Sequence, residues 1–299
     1  MHRVRARLPF LVSAVFHYLG PAFAVLLFAR VDVLGVAWLR IASAAVIFAA
    51  WRRPWRLLRN RTVLAWGAVL AVMNCCFYSA IDRLPLATVA AIEFLPVIAL
   101  AALGARTPRN AVAIVLAVPG VYVLTGVHLE VEPLGVAFAF ANAGLFAAYI
   151  VLAHRVASDA GIDALAAAML VALVVVTPLA GWAALPALTD PVGIAAGVGV
   201  GICSSVIPYV ADQVAMARLT RAAYALMVSL LPATATVIGL LVLAQVPSPA
   251  DLLGIALVIG GVALHREPTP GPAAPPSPRP RPSPAPTPTP AASGSRGRP

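Results

Sequence analysis

Ten apolar segments of membrane-spanning length run through this chain, and they decide what it can fold into. About 20 apolar residues are needed to cross a ~30 Å hydrocarbon core as a helix. Nine of the ten segments reach or nearly reach that length, and the tenth is short. The predicted spans are 8–29, 33–51, 62–81, 84–105, 110–127, 133–153, 164–185, 191–211, 222–246 and 250–264. The sequence therefore predicts an all-α membrane protein with ten transmembrane helices.

The basic residues fix the expected orientation. All 21 are arginine, and 18 of them precede span 1, lie on every second connection or follow span 10. By the positive-inside rule, both termini are then cytoplasmic. Anionic lipid headgroups attract arginines in such short loops, so the formal net charge of +10 indicates membrane lipid and no nucleic-acid partner. We expect a multi-pass protein of the bacterial inner membrane.

Composition leaves little room outside the membrane. Because 61% of the residues are hydrophobic and 11% are charged, no separate soluble domain is expected. A short cytoplasmic arm, residues 1–7, precedes the first span. Thirteen of the 34 residues from 266 to 299 are proline, which predicts a disordered cytoplasmic tail. The sequence leaves the oligomeric state open.

The second half of the chain weakly repeats the first. Residues 93–96 of span 4 correspond to 229–232 of span 9, and residues 115–121 of span 5 correspond to 256–262 of span 10. The predicted repeats are 8–127 and 133–265. Since each holds an odd number of spans, the second must enter the membrane from the opposite face. Inverted repeats of this kind are common in transporters, which bind substrate between the repeats near the midplane.

Glu93 is the most informative single residue. It lies nine residues into span 4, about 14 Å deep at 1.5 Å per residue. An ionised carboxylate in hydrocarbon costs at least ~2.5 kcal/mol, so we expect a wet cavity, a partner or a bound proton. Pro96 removes the amide that would bond the carbonyl of Ile92, which loosens the helix beside Glu93. The alternative is a structural glutamate hydrogen-bonded to a neighbouring helix.

Other polar residues inside the spans complete a candidate substrate or proton pathway. Arg40 either extends outward to the interface or pairs with an acid. Asn74 and Tyr78 share one face of span 3. The remaining candidates are Asn142, Tyr149, Ser204, Ser205, Tyr209, Asp212 and Ser229, and the candidate helix breaks are Pro21, Pro96, Pro119, Pro208 and Pro232. Packing between helices is the alternative role for each of them.

No motif predicts a cofactor, a metal site or an enzyme. The three cysteines have no metal-ligand spacing. His154 and Asp159 match the H-x4-D spacing of acyltransferases, but they lie in a short predicted cytoplasmic loop without companion motifs. A membrane acyltransferase is therefore only a second alternative.

A set of residues in spans 2 to 4 and 8 carries a family resemblance. These residues are Leu39-Arg40, Arg53-Pro54-Trp55-Arg56, Met73-Asn74 with Phe77-Tyr78, Leu84-Pro85-Leu86, Glu93-Phe94 with Pro96, Pro208-Tyr209, Asp212 and Ala217-Arg218-Leu219. The chain thereby resembles the EamA-like branch of the drug/metabolite transporter superfamily, and within it the threonine/homoserine exporters. Asp212 stands where those exporters carry glutamate. The resemblance covers about residues 8–265 and excludes the tail.

The resemblance implies a ten-helix, inverted-repeat carrier that exports small metabolites such as amino acids and is driven by protons. The interpretation is a secondary transporter that works by alternating access, with a small molecule and protons as its partners. A drug exporter or a flippase for lipid-linked intermediates with the same fold is the alternative. The sequence leaves the substrate, the coupling ion and the direction of transport open.

Overall fold

The computed structural model describes residues 2–96, 107–129, 132–211 and 231–264. Side chains are described within these ranges except at 2–10, 125–129, 154 and 157–160. Within these ranges the chain is helical apart from short connections such as 28–32, 82–85 and 244–248, and it has no β-strand, which confirms the all-α class. The end of span 4, the start of span 9, Asp212, Ser229 and the tail at 266–299 lie outside the described residues.

The helices follow the predicted apolar segments closely. In chain order they are α1 (His2–Leu27), α2 (Val33–Arg52), α3 (Arg61–Ile81), α4 (Leu86–Glu93), α5 (Pro108–Leu129), α6 (Pro133–Ala153), α7 (Gly161–Leu188), α8 (Pro191–Gly201), α9 (Leu231–Leu243) and α10 (Pro249–Leu264). A 3₁₀ turn, Trp55–Arg59, joins α2 to α3.

Short polar caps start several of these helices. The side chain of Asp32 accepts the backbone N–H of Leu34 at the start of α2, and Asn60 accepts that of Thr62 at the start of α3. Asp190 caps α8, with proline at the first helical position. Such caps satisfy amides that have no partner within the helix, so the apolar helices begin at defined residues.

Two local irregularities shape the bundle. Helical structure continues from Pro133 to Leu188, but Gly161 has φ 43° and ψ −117°, and this left-handed residue separates α6 from α7. A π-helical turn, Ile202–Val206, follows α8, and helix resumes to residue 211. The turn ends two residues before Pro208, which cannot donate the hydrogen bond that a regular helix needs there.

Five described helices are long and apolar enough to cross a membrane by length and composition: α2, α3, α6, α7 and the stretch Pro191–Ala211. Four shorter apolar helical stretches are Leu11–Leu27, Pro108–Leu124, Leu231–Leu243 and Pro249–Leu264. The described part of α4 has 8 residues. Multiple membrane crossings are therefore supported, while the count of ten and the inverted arrangement stay predictions.

Glycine lets several helices approach each other closely. A Cβ placed on Gly67 of α3 would lie 2.6 Å from the carbonyl oxygen of Ala168 in α7. A Cβ on Gly197 of α8 would lie 2.7 Å from the side chain of Leu39 in α2. Small residues at such positions allow the backbone-to-backbone packing that holds helices together in lipid.

The helix breaks predicted at Pro21 and Pro119 do not occur. The helix α1 runs through Pro21 to Leu27, and α5 runs through Pro119 to Leu129. Both prolines adjoin a glycine in close contact with another helix: Gly20 packs on the backbone of Ser204, and Gly120 packs on Gly254. This packing holds each helix together although one backbone hydrogen bond is missing.

The other predicted breaks have different outcomes. The α4 helix ends at Glu93 and residue 94 forms a turn, three and two residues before Pro96. The π-helical turn marks the predicted break at Pro208. Pro232 lies next to the first described residue of α9, so what precedes it is outside the described range.

Gly67→Ala should destabilise the protein by about 1–3 kcal/mol, because its methyl group would overlap the backbone of α7. The matched control is Gly199→Ala, since a Cβ there meets nothing within 4 Å. That change should be neutral or stabilise the helix by up to about 1 kcal/mol. Thermal unfolding of the purified variants in detergent compares them, and equal midpoints would contradict the proposed close packing of α3 on α7.

Candidate functional site

A cavity between α1, α2, α3, α4, α6, α7 and the segment that follows α8 gathers most of the predicted pathway residues. Including the open solvent at its mouth, the space between these helices is about 650 Å³. Seven predicted residues line it: Arg40, Asn74, Glu93, Asn142, Tyr149, Ser205 and Tyr209. Tyr78 and Ser204 are buried beside it. Asp212 and Ser229 lie outside the described residues.

Glu93 is the last residue of α4 and is buried at the wall of the cavity. The amide nitrogen of Asn142 in α6 donates a hydrogen bond of 3.2 Å to Oε1 of Glu93. Within the part of the chain that the structure describes, this is the one hydrogen bond of the carboxyl group. Most of its hydrogen-bonding capacity therefore remains available on the cavity side.

Arg40 of α2 joins three helical segments through neutral acceptors. Its Nη1 donates to Oδ1 of Asn74 in α3 at 2.9 Å, and its Nε donates to Oγ of Ser205 at 3.0 Å. Its Nη2 donates to the carbonyl oxygen of Ser204 at 3.1 Å. That carbonyl is the one that Pro208 leaves without its helical partner. The guanidinium carbon also lies 5.5 Å from the ring centre of Tyr78.

The structure gives Arg40 contacts that were not predicted from the sequence. No acid lies within 4.0 Å of its side chain among the described residues. A backbone carbonyl and two neutral side chains accept from the guanidinium instead. Arg40 and Glu93 thus line one cavity with opposite charges that no direct ion pair cancels.

Several buried polar atoms near these charges have no hydrogen-bond partner among the described residues. They are Oδ1 of Asn142, Oγ of Ser204 and the hydroxyl groups of Tyr18 and Tyr78. Leaving a buried polar atom unsatisfied costs about 1–3 kcal/mol. A polar ligand or water that reached these atoms would recover part of that cost.

Aromatic rings form another part of the cavity wall. Phe146 and Tyr149 of α6 stack with ring centres 6.0 Å apart, and Trp66 lies 5.5 Å from Tyr149. Such rings supply apolar surface together with polar edges. The wall therefore suits a small molecule that has a polar end and a short side chain.

On the other side of Glu93 the structure is closely packed. The α4 residues from Val89 to Ile92 are fully buried, as are Tyr18 and Tyr78. The rings of Phe28 and Tyr78 meet edge to face with centres 6.0 Å apart. This packed layer lies between the cavity and the start of α4.

Phe146 and Met169 line the cavity and were not predicted from the sequence. His17 also lines it, and Tyr18 is buried close to it. The intramembrane polarity of His17 and Tyr18 in span 1 already makes them candidates for substrate contact in the sequence. Phe146 and Met169 carry no such signal, because apolar residues of a membrane helix face lipid, protein or cavity alike.

The second half of the chain matches a protein-family model. Residues 133–266 match that of the EamA-like transporter family.

Two curated relatives align with most of the chain. The threonine/homoserine exporter RhtA of Escherichia coli (strain K12) is 31% identical over 247 residues, which cover 80% of this chain and 84% of that protein. The threonine/homoserine exporter RhtA of Salmonella typhimurium (strain LT2) is 29% identical over 261 residues, covering 83% and 88% respectively.

A protein of known crystal structure resembles this chain with a TM-score of 0.57 and 20% sequence identity. The match covers 87% of this chain and 96% of the other. Similarity at this level of identity concerns the fold alone.

Asn74→Leu should lower stability by about 1–3 kcal/mol, because it leaves an N–H group of the half-buried Arg40 without its acceptor. Asn74 also donates to the carbonyl of Ala37 at 3.0 Å, and this bond would be lost too. The matched control is Met73→Leu, a volume-conserving change of the adjacent cavity residue. Thermal unfolding in detergent measures both variants. A midpoint for Asn74→Leu equal to that of the control would show that Arg40 does not need this acceptor.

Proposed function

The chain belongs to the EamA-like transporter family, and on that premise we propose that it exports small metabolites such as amino acids. The relatives are transporters and not enzymes, so the interpretation of His154 and Asp159 as acyltransferase residues is set aside. The observation that carries the proposal is the pair of opposite charges, Arg40 and Glu93, lining one cavity without an ion pair between them.

An amino acid carries both charges that this pair can bind. Arg40 uses three of its five N–H groups on Asn74, Ser204 and Ser205, so two remain for a carboxylate. Glu93 has one hydrogen bond to Asn142 and can accept further bonds from an ammonium group. The cargo proposed here therefore places its carboxylate toward Arg40 and its ammonium toward Glu93.

A zwitterion also meets the electrostatic demands of the membrane interior. A cargo with net charge would add an uncompensated charge in a region of low dielectric, which costs several kcal/mol. A zwitterion adds none, and each of its ends meets an opposite charge. Closely aligned charged hydrogen bonds are about twice as strong as neutral ones. Selection by charge pattern thus follows from the composition of the cavity.

Proton coupling is proposed to use the same carboxyl group. Glu93 holds either the ammonium of the cargo or a proton, and these two states exclude each other. A proton that enters from the outer side displaces the outgoing ammonium, and the protonated carboxyl then returns to the inner side. The family relationship and the burial of the single cavity acid among the described lining residues support this step.

Alternating access between two inverted repeats is the proposed mechanism of movement. Contacts between α5 and α10 support it. In the alignment of the halves, Gly120 corresponds to Gly261, and Ala113 corresponds to Gly254. A Cβ on Gly120 would lie 2.8 Å from the carbonyl oxygen of Gly254, and a Cβ on Gly261 would lie 2.7 Å from that of Ala113. Exchanging the two halves therefore exchanges these two contacts.

A second pair of contacts supports the same arrangement. Gly67 of α3 packs on α7, and Gly197 of α8 packs on α2. In the proposed repeat, α3 corresponds to α8 and α2 corresponds to α7, so each contact has its counterpart. This is the relation that a pseudo-two-fold axis in the membrane plane produces.

The proposed orientation places both termini in the cytoplasm of a bacterial cell, because the arginines lie on that side. In this orientation the packed layer of Val89–Ile92 closes the cavity toward the outside, while Tyr149 and Tyr209 lie toward the cytoplasm. The tail at 266–299 is proposed to be dispensable for transport.

Glu93→Gln should reduce proton-driven uptake of L-threonine into inverted membrane vesicles, which reports export in the cell, by about 30-fold or more. The physical reason is that removing one partner of a buried charge interaction costs about 2–5 kcal/mol. Membrane insertion should be unchanged, which immunoblotting of the membrane fraction checks. Glu132→Gln is the matched control, because that glutamate precedes α6 and its side chain makes no capping bond. Full export by Glu93→Gln would refute the role of this carboxyl group.

Charge selectivity gives an independent test. Export of radiolabelled L-threonine should be inhibited by amino acids with both charges free. N-acetyl-L-threonine and L-threonine methyl ester should inhibit at least about tenfold less well, since each leaves one buried charge unpaired. Dose–response curves in vesicles measure this. Export of hydrophobic drugs without any of L-threonine would favour the drug-exporter alternative.

A further inference from the structure

A second cavity lies at the opposite end of α4, between α4, α9, α10 and the segment that joins the last two. Including the open solvent at its mouth, the space is about 490 Å³. Its polar lining residues are Thr88, Thr236, Gln245 and Asp251. It shares no lining residue with the cavity of Arg40 and Glu93.

The unsatisfied hydroxyl group of Thr88 distinguishes this cavity from a simple packing defect. The residue is 1% exposed, and its hydroxyl oxygen has no hydrogen-bond partner among the described residues. A threonine inside a helix usually bonds its hydroxyl to a carbonyl of the preceding turn. Thr236 does so, donating to the carbonyl of Pro232 at 2.9 Å. Thr88 instead keeps an unsatisfied hydroxyl at the wall of a cavity, which costs about 1–3 kcal/mol until a ligand or water meets it.

Gln245 supplies a fixed amide group. Its Oε1 accepts the backbone N–H of Leu86 at 3.0 Å, so this side chain caps the start of α4 from another segment. Its amide nitrogen has no acceptor within the described part of the chain and can donate two hydrogen bonds. The preceding residue, Ala244, has φ 53° and is the left-handed residue that ends α9. The backbone N–H of Gln245 donates to the carbonyl of Gly239 at 3.0 Å, so this helix end fixes the position of Gln245.

Asp251 supplies the charge. It is buried at the start of α10, and its Oδ2 accepts hydrogen bonds from the backbone N–H and the hydroxyl of Ser248, at 2.9 Å and 2.8 Å. These bonds fix the carboxylate at the cavity wall. Among the described lining residues it is the one charged side chain, and it interacts with other groups besides Ser248.

We propose that this second cavity is an outer binding site for an amino acid that leaves the carrier. Its ammonium lies toward Asp251 and Thr88, and its carboxylate accepts from the amide of Gln245. This inference rests on the proposed function, and it adds a binding step that follows release from Glu93. Because one of its two polar ends meets a neutral amide instead of a guanidinium, the outer site binds more weakly than the central one. Weak binding suits the last step before release.

The position of the two sites along α4 supports this order. Thr88 precedes Glu93 by five residues, about 7.5 Å along the helix axis. The four residues between them are fully buried, so the two cavities are separated in the conformation described here. A shift of this layer would pass cargo from one cavity to the other over a short distance.

Equilibrium dialysis of radiolabelled L-threonine against the purified full chain tests the proposal. The wild-type chain should bind two equivalents of L-threonine. Half-saturation of the weaker site should need an L-threonine concentration about tenfold or more above that of the tighter site. Thr88→Val should lose the weaker equivalent and keep the tighter one, and Thr88→Ser, which retains a hydroxyl, should keep both. Glu93→Gln should lose the tighter equivalent only. Thr189→Val is the matched control, since that exposed threonine bonds its hydroxyl within its own helix at the end of α7.

The outcomes separate this inference from the proposed function. The outer site is refuted if the wild type binds one equivalent of L-threonine and Thr88→Val still binds it. It is also refuted if Thr88→Val loses both equivalents. Loss of the weaker equivalent in Thr88→Val, together with an absence of L-threonine export, would uphold the outer site and refute the export function. Thermal unfolding of each variant shows that it is folded. Thr88→Val should not be less stable than the wild type, because it removes an unsatisfied hydroxyl.

Discussion

A guanidinium group inside a membrane protein must find hydrogen-bond acceptors, and this demand of Arg40 organises the centre of the structure. Its acceptors come from Asn74 in α3 and from Ser204 and Ser205 in the π-helical turn after α8. The turn itself depends on Pro208, which leaves a carbonyl without its regular partner. The carbonyl of Ser204 that Pro208 leaves free therefore accepts a hydrogen bond that Arg40 needs to donate. Arg40 thereby connects its own helix, α2, to α3 and to the segment after α8.

The acceptors of Arg40 are neutral, and this affects how the side chain can bind a ligand. An acid in contact with Arg40 would cancel its charge and leave little for a ligand to bind. Amide, hydroxyl and carbonyl oxygens hold the guanidinium in place and preserve its positive charge. Glu93 is held in a comparable way by the neutral amide of Asn142. The cavity thus keeps two fixed, opposite charges in a low-dielectric environment, where electrostatic interactions are strong.

The sequence predicted helix positions well because the physical signals were local. Apolar length alone defined the predicted spans, and the structure adds side-chain caps such as Asp32, Asn60 and Asp190 at the beginnings of the helices. The prolines were predicted less well. Pro21 and Pro119 lie in continuous helices, because glycine contacts with distant segments outweigh the loss of one backbone bond. Such contacts cannot be read from a local pattern.

In the candidate site, too, some residues could be predicted from the sequence and others could not. Polar residues inside spans have few places to go, so Asn74, Glu93 and Asn142 could be expected to meet. The partners of Arg40 could not, since they depend on packing across about half the chain. Phe146 and Met169 were unpredictable for a different reason, because an apolar side chain looks the same whether it faces lipid or cavity. Intramembrane polarity therefore predicts the polar binding groups, whereas the apolar residues of the cavity wall are known only from the packed structure.

The contacts of Gly120 with Gly254 and of Gly261 with Ala113 limit how α5 and α10 can move. With carbonyl oxygens this close to glycine backbones, neither helix can slide along the other without overlap. The two helices therefore form a pair whose relative position is fixed. In the alternating-access cycle proposed above, this pair stays in place while the helices that line the cavity of Arg40 and Glu93 tilt against it.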